Sequence, residues 1–82
     1  MNEHERIRQW LLETVRLMVD RPEDVTVQEL GTDGLIDVRV SVHPSDIGKL
    51  IGKTGRTARS LRVIGAAIAT THGTGFALDI VE

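Results

Sequence analysis

The chain has 82 residues, of which 40% are hydrophobic and 27% are charged, and its formal net charge is −2. This composition is ordinary for one small globular domain. Disulfides and thiolate metal sites are excluded because there is no cysteine. No apolar run approaches the roughly 20 residues that cross a bilayer, and the charged N-terminal segment lacks the apolar stretch of a signal peptide. We therefore expect a cytoplasmic protein.

A first helix is predicted over about residues 5–20, ended by Pro22. Its apolar residues recur at steps of three and four, which is the spacing of one helix face. The stripe contains Ile7, Trp10, Leu11, Val15 and Met18, and it is widened by Leu12, Leu17 and Val19. The arc is wider than a surface helix needs. We therefore expect Leu12 and Val19 to lie at its edge and to serve self-association.

A β-hairpin is predicted next. Residues 25–30 form a short β-prone segment, and residues 31–34 contain two glycines and an Asp-Gly pair, which favour a turn. From Ile36 to Val42, β-branched residues alternate with polar ones, as in a strand with one buried face. Two strands joined by a short turn indicate an antiparallel pair.

Two helices and a final strand complete the chain. Pro44 opens a short helix that runs to about Ile51, with Ser45 and Asp46 available to satisfy its free N–H groups. A longer helix begins after Gly55. Its predicted core face contains Thr57, Leu61, Ile64, Gly65 and Ile68. Alternating apolar residues then predict a strand, namely Phe76, Leu78 and Ile80.

The element order is therefore α-β-β-α-α-β. The last strand follows the middle one through a two-helix crossover, which favours a parallel, right-handed connection. We expect an α+β fold with a three-stranded mixed sheet and three helices packed on one face. The whole chain, 1–82, forms one domain in this prediction, with a βααβ core over about 35–82.

A Gly-x-x-Gly loop lies between the two later helices, at residues 52–55. Glycines let the backbone turn sharply and approach a ligand closely, and the helix that follows turns its positive end toward the loop. Between His43 and Arg62 the chain has one acidic residue, Asp46, and five of its ten basic residues: Lys49, Lys53, Arg56, Arg59 and Arg62. This combination predicts a phosphate-binding site.

Other kinds of site are disfavoured. The residues from Gly48 to Thr54 resemble a nucleotide-binding P-loop, but three residues separate Gly48 from Gly52 where that motif needs four. The three histidines show no metal-ligand spacing and no catalytic pair is visible, so we expect neither an enzyme nor a cofactor. Trp10 and Phe76 are the only aromatic residues and both fit core stripes, which disfavours binding by base stacking.

The segment VRVSVHPSDIGKLIGKTGRTARSLR resembles the core of a KH domain, with the I-G-x-x-G signature at residues 51–55. The element order is similar to the bacterial type II arrangement, in which an extra helix and strand precede the βααβ core. The chain length and the ending FALDIVE narrow the match further. Over essentially its whole length the chain resembles the KhpA family of small bacterial stand-alone KH-domain RNA-binding proteins.

The resemblance implies a binding mode. KH domains clamp about four nucleotides of single strand through the GxxG loop. By analogy, main-chain N–H groups of the loop contact phosphates, Lys49 and Arg56 add positive charge, and Ile47 and Ile51 form a wall of a groove for bases. The RNA-binding set implied for this chain is Gly52, Lys53, Thr54, Gly55, Lys49, Arg56, Ile51, Ile47, Gly48 and Arg59.

The resemblance also suggests partners: single-stranded RNA, a second copy in a homodimer, and a larger KH-domain protein of the KhpB (Jag) type. Two functions stay open at this point. The first is a low-specificity RNA chaperone or post-transcriptional regulator. The second is a protein–protein assembly domain of a KH homo- or heterodimer, in which RNA binding is secondary.

Overall fold

The computed structural model describes residues 2–31 and 33–81. Thr32 of the predicted turn and Glu82 of the last segment lie outside the described residues. The helices and strands are α1 (Glu3–Met18), β1 (Thr26–Glu29), β2 (Leu35–Ser41), α2 (Ile47–Ile51), α3 (Arg56–Thr71) and β3 (Gly75–Val81). Single 3₁₀ turns lie at Pro22–Asp24, Pro44–Asp46 and Lys53–Gly55. The predicted α+β order is confirmed.

β2 is the central strand of a three-stranded mixed sheet. It pairs antiparallel with β1, where Val27 lies opposite Val40, and parallel with β3, where Val38 lies opposite Leu78. One face of β2 is buried while Arg39 on the other face is exposed. The same core contains residues of all three helices, among them Ile7, Leu11, Val15, Leu50, Leu61 and Ala69. The prediction of a mixed sheet covered by helices on one face is therefore confirmed.

α1 begins two residues earlier than predicted because Asn2 caps it. The Glu5 N–H donates to Asn2 Oδ1 at 2.9 Å, and this satisfies one of the free donors of the first turn. Leu12 and Val19 lie at the edge of the apolar arc as expected, where both are half-buried and pack against the core; their part in self-association stays a prediction. Leu17 is the apolar residue of this helix that faces solvent, with 89% of its surface exposed.

α3 turns small residues toward β3, and this corrects its predicted core face. Gly65 packs so closely on Phe76 that a Cβ would lie 2.3 Å from the ring carbon Cε2. This approach centres the buried face on Leu61 and Gly65. Ile64, one position from Gly65, is therefore 48% exposed rather than buried.

Candidate functional site

The GxxG loop has a backbone that only glycine-rich sequences adopt readily. Gly52, Thr54 and Gly55 have φ values of +78°, +57° and +74°, in the left-handed region that favours glycine. At Gly52 a Cβ would also lie 2.2 Å from Thr57 Oγ1, so no side chain fits there. A Cβ at Gly55 would meet nothing within 4 Å, which leaves that side of the loop open to a ligand.

Two main-chain donors of this loop have no partner within the described chain. The Gly55 N–H donates to the Gly52 carbonyl at 3.1 Å, and the Arg56 N–H donates to the Lys53 carbonyl. Because the hydrogen bonds of this turn begin at Gly55, the N–H groups of Lys53 and Thr54 have no acceptor within residues 2–31 and 33–81. No side chain caps α3 at Gly55, so the positive end of that helix lies at the same loop.

Three cations lie on this loop or in the first turn of α3. Lys53, Arg56 and Arg59 are exposed, and no carboxylate of the described residues lies within ion-pair distance of them. Gly48 is also exposed, with nothing within 4 Å of the position of a Cβ. The loop therefore combines open N–H donors, a helix N-terminus and unneutralised positive charge, which together suit an anionic oxygen.

Lys49 differs from the other predicted cations because its ammonium group is paired. Lys49 Nζ lies 2.7 Å from Asp20 Oδ2 and 3.5 Å from Asp46 Oδ1. The hydrogen bond to Asp20 raises the pKa of Lys49 above its ordinary value. Its charge is thus offset by two carboxylates before any ligand arrives.

Asp46 has a structural role next to the site that its place in the sequence did not indicate. It was expected to cap α2, but its side chain makes no capping hydrogen bond there. Instead its fully buried carboxylate accepts from the N–H groups of Asp20, at 3.3 Å, and Arg21, at 3.1 Å, in the segment after α1. Ser45 does not cap α2 either, since its hydroxyl lies 2.8 Å from His43 Nδ1 instead. Asp46 therefore ties the end of α1 to the helix that leads into the loop.

The pKa of Asp46 reflects this environment. Burial raises the pKa of the carboxyl, but the two backbone hydrogen bonds and the charge of Lys49 outweigh burial and hold it below its ordinary value. The side chain is therefore a charged, satisfied link within the fold.

A cavity of about 260 Å³ lies beside the loop. Its lining residues come from α2, the loop, α3 and β3, and they are Ile51, Gly55, Ala58, Arg62, Asp79 and Ile80. Ile51 therefore lies in the wall of this cavity, and its contact with a base stays a prediction. Ile47 is not among the described lining residues and packs against the core.

Neither a metal cluster nor a membrane span is visible in the described residues. No three or more His, Cys, Asp or Glu side chains in residues 2–31 and 33–81 come together in a way that could hold a metal ion. None of the helices found there is long and apolar enough to cross a membrane.

Comparison with known proteins identifies the family of the chain. The family model "KhpA/KhpB, KH domain" matches residues 8–80. Curated relatives named RNA-binding protein KhpA include one from Halalkalibacterium halodurans, 45% identical over 79% of this chain and 86% of its own length. The relative from Treponema pallidum is 43% identical over 82% of this chain and 84% of its own.

The relative from Chlamydia pneumoniae is 34% identical, and its match covers 93% of this chain and 97% of its own length. A comparison with solved structures found no match. The family model spans the chain from within α1 to within β3, and the relatives match 79%, 82% and 93% of the chain. The chain therefore belongs to the KhpA/KhpB family of KH domains.

Proposed function

We propose that this protein binds single-stranded RNA, holding about four nucleotides with the GxxG loop. The observation that carries the proposal is the pair of N–H groups of Lys53 and Thr54, which have no acceptor in the described chain and lie at the N-terminus of α3. Phosphate oxygens are the acceptors that such a site prefers. The relatives are named RNA-binding proteins, and KH domains use this loop to clamp a single-stranded backbone.

The cations around the loop support the same function. Lys53, Arg56 and Arg59 add long-range attraction for the backbone, whereas Gly48 and Gly55 leave space for its close approach. Lys49 contributes less because its ammonium is already paired. The cavity next to the loop accepts a base, with Ile51 as one wall; Ile47 supports that wall only through the core.

Such a site binds weakly on its own. About four nucleotides provide few contacts, and each phosphate contact on a single strand contributes about −0.7 to the slope of log affinity against log salt. We therefore expect a slope of about −2 to −3 and a preference for single over double strands. Weak, backbone-directed binding suits a cytoplasmic RNA chaperone or post-transcriptional regulator.

The direct test reverses charge at the loop. Lys53→Asp with Thr54→Asp places two carboxylates at the proposed phosphate site, and their repulsion of phosphate should abolish RNA binding. Both side chains are exposed, so the stability of the fold should be retained. Affinity for a single-stranded octamer at low salt is the measurement.

The matched control is Arg6→Glu with Gln28→Glu, which changes the net charge by the same amount at two other exposed positions. Arg6 lies in the first turns of α1 and Gln28 lies on β1, at the opposite edge of the sheet from β3. Equal affinity of the loop variant and the parent would overturn the proposed site. Equal loss in the loop and control variants would mean that net charge alone is responsible.

A second proposed function is assembly, as a homodimer or with a larger KH protein of the KhpB type. The observation that favours it is apolar surface left in solvent: Leu17, Val63, Ile64 and Val81 are exposed. Pairing two copies would bury those of them that lie at the interface and would place two loops on one particle.

A further inference from the structure

Arg62 is a cation in the wall of the cavity rather than on the rim of the loop. It lines the cavity together with Ile51, Ala58 and Ile80. Asp79 also lines the cavity, but the carboxylate of Asp79 lies against Arg39 Nε at 3.3 Å. Among the described residues no carboxylate lies within ion-pair distance of Arg62. Its positive charge is therefore available in a wall that also contains the apolar side chains of Ile51, Ala58 and Ile80.

The guanidinium of Arg62 is held in a fixed place. Its Nε and Nη2 groups both donate to the Leu78 carbonyl of β3, at 3.3 and 3.2 Å. Arginine carries five N–H donors in one rigid plane. Two of these donors bond to the Leu78 carbonyl, which fixes the plane of the guanidinium. The remaining N–H donors therefore have a defined position relative to the cavity, and ligand binding costs little further side-chain entropy.

The surroundings of Arg62 favour a base over a phosphate as its ligand. The cavity of about 260 Å³ is slightly smaller than the ~300–1,000 Å³ of typical small-ligand sites, and its apolar side chains suit the faces of one base. The phosphate donors, in contrast, lie on the loop at Lys53 and Thr54. When the ring of a base enters the cavity, the polar edge of that base therefore contacts the guanidinium of Arg62.

A guanidinium only donates hydrogen bonds, so it selects for edges that accept them. Uracil and guanine present carbonyl oxygens where adenine presents an amino group, and arginine pairs readily with such acceptors. We propose that Arg62 is a base-selecting residue of this domain and favours bases with an exposed carbonyl oxygen over adenine. This inference rests on the proposed binding of single-stranded RNA.

The experiment compares three single-stranded RNA octamers: octauridylate, octaadenylate, and octaadenylate whose four central adenosines are replaced by inosines. Inosine keeps the purine ring but changes the 6-amino group to a carbonyl, so a preference based on ring size or stacking is separated from one based on the acceptor. Affinities are measured over a series of salt concentrations for the parent and for Arg62→Met. The matched control is Arg59→Met, which removes the same charge three residues away on α3, at a position outside the described lining of the cavity.

We expect the parent to bind octauridylate about fivefold more tightly than octaadenylate, the low end of what one good base contact provides. The inosine octamer should recover most of that difference. Arg62→Met should abolish the preference and leave the salt slope unchanged, while Arg59→Met keeps the preference. Arg62→Lys retains the positive charge and a donor for the Leu78 carbonyl, so it should fold like the parent. Because lysine lacks the rigid plane of donors, this variant should lose most of the preference.

Three outcomes would overturn the inference. If the parent binds octauridylate and the inosine octamer no more tightly than octaadenylate, Arg62 does not select bases with a carbonyl oxygen. If Arg62→Met weakens all octamers equally and makes the salt slope less steep by about 0.7, then Arg62 contacts a phosphate instead. If the parent binds none of the octamers, the proposed function is overturned as well. If the parent binds all octamers equally and the loop variant Lys53→Asp with Thr54→Asp does not bind them, only the inference about Arg62 is overturned.

Discussion

Lys49 and Lys53 are four residues apart, yet the structure places them in opposite electrostatic settings. Lys53 lies on an open loop with exposed N–H donors and no ion-pair partner among the described residues, whereas Lys49 is paired with Asp20 and Asp46. The comparison shows two uses of charge at one short helix, α2, which contains Lys49 and ends just before Lys53. Free charge next to unpaired donors is available for a ligand, while neutralised charge around a buried carboxylate holds the helix in place.

The largest expected effect is on stability, from Asp46→Ala. The substitution removes a fully buried carboxylate that accepts from the N–H groups of Asp20 and Arg21 and pairs with Lys49, and hydrogen bonds to a charged group are among the stronger ones in a fold. We expect the melting temperature to fall by about 10 °C or more, since a domain of this size has a thin stability margin. Thermal unfolding followed by circular dichroism measures this.

The loop variant Lys53→Asp with Thr54→Asp serves as the reference for that measurement, because it should melt within a few degrees of the parent. A melting temperature of Asp46→Ala equal to that of the parent would show that the buried carboxylate does not hold α1 to α2.

The next effect concerns RNA affinity and compares the two lysines directly. Lys53→Met removes a free charge at the loop and should weaken binding about fivefold, or ~1 kcal/mol. Lys49→Met removes a charge that two carboxylates already offset, so it should weaken binding less than about twofold at physiological salt, where distant charges are screened. Titration of both variants with one octamer decides the point. Equal losses would place Lys49 among the RNA contacts, as the family resemblance alone implies.

Self-association is expected at tens of micromolar and depends on apolar surface outside the core. Leu17 is 89% exposed, and burying such a side chain at an interface contributes up to about 1.5–3 kcal/mol. Sedimentation should show a dimer that Leu17→Glu or Val63→Glu weakens without loss of helical signal. The control is Thr71→Glu, an exposed polar position on α3. A parent that stays monomeric across this range would refute the homodimer and leave RNA binding unaffected.

The smallest effect is the dependence of stability on pH. The pKa of Asp46 is lower in the folded protein than its ordinary value of 3.8, so the unfolded chain takes up this proton first as the pH falls. The stability from Asp46 is therefore fully present above about pH 5 and is lost as the pH falls through the folded pKa. Chemical unfolding between pH 3 and 7 should show a shallower acid decline for Asp46→Asn than for the parent. Parallel curves would mean that other groups produce the decline.

The ion pair between Lys49 and Asp20 makes stability depend on pH at high pH as well, by a smaller amount. The pKa of Lys49 is raised by its hydrogen bond to Asp20, so the stability it contributes is present below its ordinary pKa and is lost only as the pH rises through the folded value.

Local sequence was sufficient for the elements and for the loop. Period-2 alternation predicts β2, with Val38 and Val40 facing inward, because neighbouring side chains of a strand point to opposite faces. Gly52 and Gly55 predict the sharp turn because their backbone needs positive φ, and this requirement depends on the residues themselves. The N–H groups of Lys53 and Thr54 are unpaired within the described chain because they lie in a short turn directly before α3, where no preceding helical turn offers them a carbonyl acceptor.

Tertiary packing decided what local spacing could not. Whether Asp46 caps its own helix or reaches the end of α1 depends on a segment 25 residues away, and the same contact neutralises Lys49. Ile64 faces outward because Gly65 lets α3 approach Phe76, a contact between distant parts of the chain. The cavity forms only where α2, α3 and β3 meet, so the position of Arg62 in its wall is a property of the assembled fold.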